Sequence, residues 1–366
     1  MSLARLSLCL LFVCLFAPTT LAASPSRVNV RLVTDEADAV LALLARRNAN
    51  QPITESDWQK IFSSEGYVRL KQREHAMKRS FEDTDFKTFA LSDQLAQRAP
   101  ALQSTLAKWK QADISRAAKL ALAYLPKSAR IKAKIYPVIK PRENSFVFGS
   151  ADDPAIFLYL DPAKTEGQFE NTLAHELHHI GYGSSCPSKQ MSDEMAKLSE
   201  NKQTFVTWLG AFGEGFAMLA AAGGPNAHPH AVSSAEDRAR WDRDVSNFNE
   251  DLKTLETFFI NILDGRLTKD EAQKTAASFY GVQGPWYTVG WQMAVVIEKT
   301  FGRAKLIKSS CDQRLLLSTY NAAAKKYNRR AAKPLALWSE RLMSDMLQLV
   351  GKQSTHHVLK AHASYP

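Results

Sequence analysis

Along most of the chain, apolar residues recur at every third and fourth position, which is the spacing of amphipathic helices. Residues 29–124 follow this pattern and predict a run of helices, with one opening at residues 33–36 and another starting at Thr54. Residues 127–162 instead form short β-rich runs, at 131–136, 144–148 and 155–160. From residue 163 onward the pattern is helical again. We therefore predict a predominantly helical α+β fold with a small three-stranded sheet.

The first 22 residues have the pattern of a secretory signal peptide. Arg5 provides a positive start, residues 6–17 are apolar, and small residues precede a cleavage point after Ala22. An uncleaved anchor is the alternative, although the apolar run is short for a bilayer span. We expect an exported protein, periplasmic or secreted, whose mature part has no transmembrane segment.

The chain of 366 residues is long enough to bury a sizeable core and too hydrophobic, at 45%, to be disordered. Its parts are a helical segment at 23–126, the sheet at 127–162 and a second helical segment at 163–366. No linker rich in glycine, serine or proline separates them, so residues 23–366 are predicted to form a single unit.

The most informative segment is residues 165–183. Thr165 and Gln168 form a capping-box pair, which predicts that a helix begins there. His175-Glu176-Leu177-His178-His179 is an HExxH motif, and side chains four apart share one helical face. The rings of His175 and His179 can therefore converge on one Zn²⁺ ion, whereas a surface helix with incidental histidines is the alternative. His178 lies off this face and is expected to be a surface or outer-shell residue.

A catalytic zinc site needs a third protein ligand and an open position for water. Glu194, Glu200 and Glu214 are candidates from the helices that follow. Glu214 lies in the apolar stretch 209–219, where a lone carboxylate is costly unless it is paired or bound to metal. We predict Glu214 as the third ligand, with Glu200, which lies in a polar stretch, as runner-up. The glycines beside Glu214 are expected to let its helix approach the HExxH helix closely.

This combination resembles the gluzincin peptidases, whose third ligand often lies in an Asn-Glu-Gly-Phe-Ala-like sequence. The chain has Gly-Glu-Gly-Phe-Ala at 213–217, with Gly213 in place of the asparagine and a longer gap after the HExxH motif. Over most of its mature length it is also similar to a group of bacterial exported proteins regarded as zinc-dependent peptidases. Further segments carry this likeness: 65–67, 73–74, 144–148, 156–161, and Tyr287 with Gly290. The resemblance implies a zincin fold and carries little about the substrate.

The residues predict a hydrolytic mechanism. Zinc lowers the pKa of a bound water, and Glu176 is the expected general base that takes its proton. Tyr287 is a candidate donor to the developing oxyanion, with a packed core tyrosine as the alternative. The resemblance also implies that strand 156–160 lies beside the cleft, where it would bind an extended peptide as an added strand or simply pack in the core.

We therefore expect a zinc-dependent metallopeptidase that acts on a peptide or protein substrate. A zinc hydrolase for a non-peptide amide or ester is one alternative, and a catalytically inactive zincin-fold binding or scaffold protein is another.

Cysteines and charge add less. Once the leader is removed, only Cys186 and Cys311 remain, and an oxidising compartment predicts one disulfide, with two separate thiols as the alternative. The net charge is +10, but the basic residues are dispersed. The densest run, at 325–333, accompanies no nucleic-acid-binding module, so no nucleic-acid partner is expected.

Overall fold

The computed structural model describes residues 26–149, 153–186 and 188–349, and the predicted signal peptide lies outside these ranges. Six helices belong to the N-terminal part: α1 (Asp35–Asn48), α2 (Glu55–Phe62), α3 (Glu65–Ala76), α4 (Asp83–Ala90), α5 (Asp93–Trp109) and α6 (Ile114–Leu122). The strands are β1 (Val28–Leu32), β2 (Ile131–Val138), β3 (Phe146–Phe148) and β4 (Ala155–Tyr159). The remaining helices are α7 (Glu166–Gly183), α8 (Lys189–Met195), α9 (Glu200–Leu209), α10 (Gly213–Ala222), α11 (Ala235–Ser246), α12 (Phe248–Leu263), α13 (Lys269–Ser278), α14 (Pro285–Phe301), α15 (Arg303–Cys311), α16 (Gln313–Asn328) and α17 (Glu340–Leu349). The prediction of a predominantly helical chain with a small sheet is confirmed.

The sheet has four strands in the order β1-β2-β4-β3, so the prediction of three strands was wrong. Strands β1, β2 and β4 are parallel, and β3 runs antiparallel to β4. The additional strand β1 lies within the region predicted to be helical. It alternates apolar and polar residues over only five positions, and its partner β2 lies about a hundred residues further along the chain. So short a run is easily missed beside strong helical patterns.

Strand β4 lies inside the sheet and has no free edge for a peptide. It pairs with β2 through Ile135 and Ile156, and with β3 through Val147 and Ile156. Beyond the end of β3, the Ser145 hydroxyl accepts a hydrogen bond from the backbone N–H of Tyr159 at 3.1 Å. All five residues of β4 are buried. Substrate addition along 156–160 was therefore a wrong expectation, and β4 serves as a core strand that leads toward α7.

Helix α7 begins where its capping residues predict. The Thr165 hydroxyl accepts the N–H of Gln168 at 3.2 Å, and the Gln168 side-chain oxygen accepts the N–H of Thr165 at 2.8 Å. The apolar face of α7 is buried against the N-terminal helices and the sheet, with Phe169 stacked on Trp109 at a centroid distance of 4.5 Å. This packing fixes the orientation of the face of α7 that carries His175 and His179.

The predicted disulfide is present between Cys186 and Cys311. Cys186 lies three residues after the end of α7 at Gly183, and Cys311 ends α15. The bond closes a sequence separation of 125 residues, which in the chain-entropy model is worth about 5 kcal/mol. It ties the end of α7 to the C-terminal helices.

Two large hydrophobic cores meet at α7 and α10. One core contains the N-terminal helices, the sheet and α7, and the other contains most of the helices from α9 onward. Helix α10 belongs to both, because Phe216 and Leu219 lie in the second core and Ala221 lies in the first. The continuous segment Glu200–Ala222 is long and apolar enough to cross a membrane, but 72% of its most apolar window is buried in the protein. Its packing is that of a core helix.

A buried carboxyl lies near the start of α1. Glu36 is 1% exposed, and its Oε2 accepts the backbone N–H of Ile139 at 3.1 Å, whereas its Oε1 has no hydrogen-bond partner among the described residues. Burial raises the pKa of Glu36 to about 8, although the Ile139 hydrogen bond opposes the shift. Between pH 4.5 and pH 8 the unfolded chain is therefore ionised at this position while the folded chain keeps its proton.

We expect Glu36→Gln to stabilise the protein increasingly as the pH rises. The ionised unfolded state lowers the stability of the wild type from pH 4.5 up to about pH 8, by at most about 5 kcal/mol at the upper end, and an amide does not titrate. Urea unfolding at pH 5 and pH 8 measures the difference. Glu55→Gln, at an exposed position, is the control. A gain in stability that is equal at both pH values would contradict this prediction.

Candidate metal centre

Helices α7 and α10 bring three potential ligand atoms into contact. Nε2 of His175 lies 3.1 Å from Oε2 of Glu214, and Nε2 of His179 lies 3.3 Å from the same oxygen. The two Nε2 atoms are 3.0 Å apart. The four-residue spacing places both imidazoles on one face of α7, and the first turn of α10 points Glu214 at them.

The arrangement fits a tetrahedral zinc ion. Ligand atoms 2.0–2.1 Å from zinc lie roughly 3.3 Å from one another in a tetrahedron, close to the distances between these three atoms. Hydrogen bonds cannot account for all three contacts, because each Nε2 carries at most one hydrogen, and if both N–H groups donate to Glu214 the Nε2 atoms are left 3.0 Å apart with no hydrogen bond between them. A cation among two nitrogens and one carboxylate oxygen satisfies all three atoms. Two histidines and one glutamate also form a donor set that suits zinc with a position left for water.

The charges of the three side chains support one another. Burial raises the pKa of Glu214, but the charge on His179 and hydrogen bonds from both imidazoles outweigh it and hold that pKa well below its usual range. Burial lowers the pKa of His179, but the Glu214 carboxylate overcomes this effect and raises it to about 9. Without metal, a proton on His179 therefore partners the carboxylate, and a bound metal ion would take the place of that proton.

The structure separates the candidates for the third ligand. Glu200 is exposed at the first position of α9, and Glu194 forms an ion pair with Arg314 at 2.8 Å. Among the described residues, His175, His179 and Glu214 are the three that could hold a metal ion together. One of the two expectations for His178 was a position at the surface. This was wrong, because His178 is only 3% exposed.

A cleft of about 310 Å³ opens beside His175, and both predicted catalytic residues line it. Glu176 lies next to His175 in sequence, and the Tyr287 ring is nearly parallel to the His175 ring, with centroids 6.2 Å apart. Burial and the negative charge of Glu214 raise the pKa of Tyr287. Its hydroxyl therefore keeps its proton at neutral pH and remains a hydrogen-bond donor.

Most of the residues that line the cleft were not predicted from the sequence. Besides His175, Glu176 and Tyr287, the lining consists of Lys164, Gln168, Asn171, Thr172, Met218, His230, Ser233, Asp237, Arg240 and Gln283. The described part of the sheet contributes none of it. His230 is 6% exposed, and its Nε2 has no hydrogen-bond partner among the described residues. The sequence feature that could have indicated this part of the lining is the His-Pro-His loop at 228–230. Exposed histidine pairs of this kind are usually incidental.

Helix α10 packs on both α7 and α14, but its glycine at position 215 faces α14, so the expectation that the glycines allow a close approach to α7 was wrong. A Cβ added at Gly215 would lie 2.0 Å from the backbone nitrogen of Trp291 and 2.4 Å from the carbonyl carbon of Gly290. A Cβ at Gly213 would meet nothing within 4 Å. Gly215 therefore fixes the position of Glu214 by allowing α10 to touch the backbone of α14.

Gly215→Ala should destabilise the protein by about 3 kcal/mol and weaken zinc binding, because the two backbones must move apart and carry Glu214 away from the histidines. Gly213→Ala is the matched control, and it should be neutral or stabilise by about 0.5–1 kcal/mol since alanine favours a helix. Urea unfolding and zinc titration of both variants give the comparison. Equal effects at the two positions would refute the crossing as the cause.

A model of one protein family matches residues 36–329, which include the HExxH motif, Glu214 and Tyr287. The description of that family is "Putative zinc dependent peptidase (DUF5700)". No curated protein and no solved structure matches the chain. The zincin fold that the sequence resemblance implies therefore stays a prediction.

Proposed function

Because the chain belongs to this DUF5700 family, we propose that it is a metallopeptidase whose zinc ion is held by His175, His179 and Glu214. The observation that carries the proposal is the contact of three ligand atoms at 3.0–3.3 Å beside a cleft that Glu176 also lines. We further propose that the protein acts outside the cytoplasm. The leader pattern and the disulfide support this location.

Zinc bound here would supply an acidified water and a polarised scissile carbonyl. The residues of the chain would do the rest. Glu176 accepts the proton of the attacking water and returns it to the departing amine. Tyr287 keeps its hydroxyl proton and donates a hydrogen bond to the oxygen that becomes negative. Gln168, Asn171 and Thr172 continue along the same side of α7 and offer hydrogen bonds to a polypeptide backbone in the cleft.

The test combines zinc analysis with a mixed peptide library. We expect about one tightly bound zinc ion per chain of the purified protein, and peptide cleavage that a chelator stops and added zinc restores. Zinc-loaded protein that hydrolyses esters or simple amides but no peptide would instead be a non-peptide zinc hydrolase. Zinc binding without turnover of either substrate class would identify a binding or scaffold protein.

A further inference from the structure

A second cavity, of about 440 Å³, lies in the N-terminal part of the protein, between the segment that follows α3 and the loop after β2. It shares no lining residue with the cleft of the candidate metal centre. Its lining consists of Glu74, Arg79, Ser80, Phe81, Glu82, Asp85, Phe86, Lys140, Pro141 and Arg142. The proposed peptidase mechanism uses none of these side chains.

The unusual member of this lining is Lys140, which is only 3% exposed. Its Nζ donates to the carbonyl oxygen of Arg142 and, at 2.6 Å, to Oδ1 of Asn144. Both acceptors are neutral, and no carboxylate of the described residues lies within ion-pair distance of Nζ. The rings of Phe146 and Tyr159 lie 5.5 and 5.8 Å from it. A buried ammonium group is costly without an anionic partner at close range, and the described residues provide Lys140 with none.

The nearest acidic groups do not provide it. The carboxylate of Glu74 pairs with Arg73 at 2.5 Å and with Arg79 at 3.7 Å. Glu36 keeps its proton up to about pH 8 and is therefore uncharged. Among Lys140, Arg73, Arg79, Glu74 and Glu36, positive charges therefore outnumber negative ones.

The rest of the cavity limits what can enter. Arg79, Arg142 and Ser80 add hydrogen-bond donors, and Phe81, Phe86 and Pro141 add apolar surface. Glu82 and Asp85 also line the cavity, and their carboxylates would repel a ligand with many negative charges. A compact ligand with one anionic group and an apolar part fits this lining.

We propose that this cavity binds a small ligand through a single carboxylate or phosphate group, held by the ammonium of Lys140 together with Arg79 and Arg142. The anion would provide the counter-charge that the chain lacks. Burial lowers the pKa of Lys140 to about 8, and a bound anion would raise it again. Two segments of the family resemblance that the metal centre leaves unused, at 73–74 and 144–148, meet around this lysine.

Calorimetric titration of the zinc-loaded protein with inorganic phosphate and, separately, with acetate tests the proposal. We expect one site that prefers one of the two anions, and the preferred anion identifies the ligand class. Lys140→Met should weaken binding at least tenfold, and Arg142→Met, at an exposed position, should weaken it several-fold. Lys305→Met, at an exposed lysine of α15 that does not line the cavity, is the matched control and should bind as the wild type does.

Failure to bind either anion at concentrations up to about 100 mM, a hundred times a millimolar dissociation constant, would overturn the proposal. So would binding that Lys140→Met retains and zinc removal abolishes, because such an anion would sit at the metal centre. If Lys140→Met does not fold, Arg142→Met and Arg79→Met decide the question. Neither result bears on the proposed peptidase activity, which is measured separately.

Discussion

Replacing Glu176 by glutamine should abolish peptide hydrolysis while the zinc ion stays bound. Glu176 lines the cleft but is not one of the three residues that could hold the metal. An amide cannot accept the proton of the attacking water, so we expect kcat to fall by about 10³-fold or more. Peptide cleavage assays measure the fall, and elemental analysis of the same samples measures the zinc content.

Glu166→Gln is the control for this substitution, since Glu166 is exposed in the first turn of the same helix. It should leave both activity and zinc content unchanged. A Glu176→Gln protein that cleaves peptides as fast as the wild type would rule out Glu176 as the general base. One that loses its zinc would instead show that Glu176 supports the metal centre.

Removing the Glu214 carboxylate should have the second large effect, on zinc affinity. In Glu214→Ala the two imidazoles remain as the only protein ligands, and we expect the dissociation constant for zinc to rise more than 100-fold. Loss of an outer-shell partner alone costs about 10–100-fold in other metal sites, so loss of a direct ligand should exceed this range. Competition with a chromogenic chelator measures the constant.

Glu200→Ala provides the matched comparison. Glu200 is exposed at the start of α9 and is not one of the three described residues that could hold the metal ion together. It should bind zinc as the wild type does. Zinc should also raise the unfolding temperature of the wild type and of Glu200→Ala but hardly that of Glu214→Ala, since a ligand stabilises only the state that binds it. The reverse pattern would make Glu200 the third ligand.

Much of the candidate site could be predicted because its signals are local. A capping pair at Thr165 and Gln168, and two histidines four residues apart, need only the geometry of one helix. The prediction of Glu214 needed a less local argument. It rested on the cost of burying a lone carboxylate in an apolar segment, and that cost does not depend on where the segment packs.

What could not be predicted depends on distant partners. Strand β1 is five residues long and becomes a strand only by pairing with β2. The buried position of β4 follows from the order of strands in the sheet. The need for a glycine at position 215 follows from its contact with the backbone of Gly290. Lys140 has the sequence environment of a surface lysine, and only the fold buries it.

The disulfide has a consequence for how the protein tolerates cleavage of its own backbone. The covalent ring closed by Cys186 and Cys311 contains Glu214 and Tyr287, while His175 and His179 lie just before it in the chain. A single break anywhere inside the ring would leave both new ends tethered to the helix that bears the histidines. Both halves of the candidate metal centre would stay on one molecule, which would be an advantage at the proposed location outside the cytoplasm.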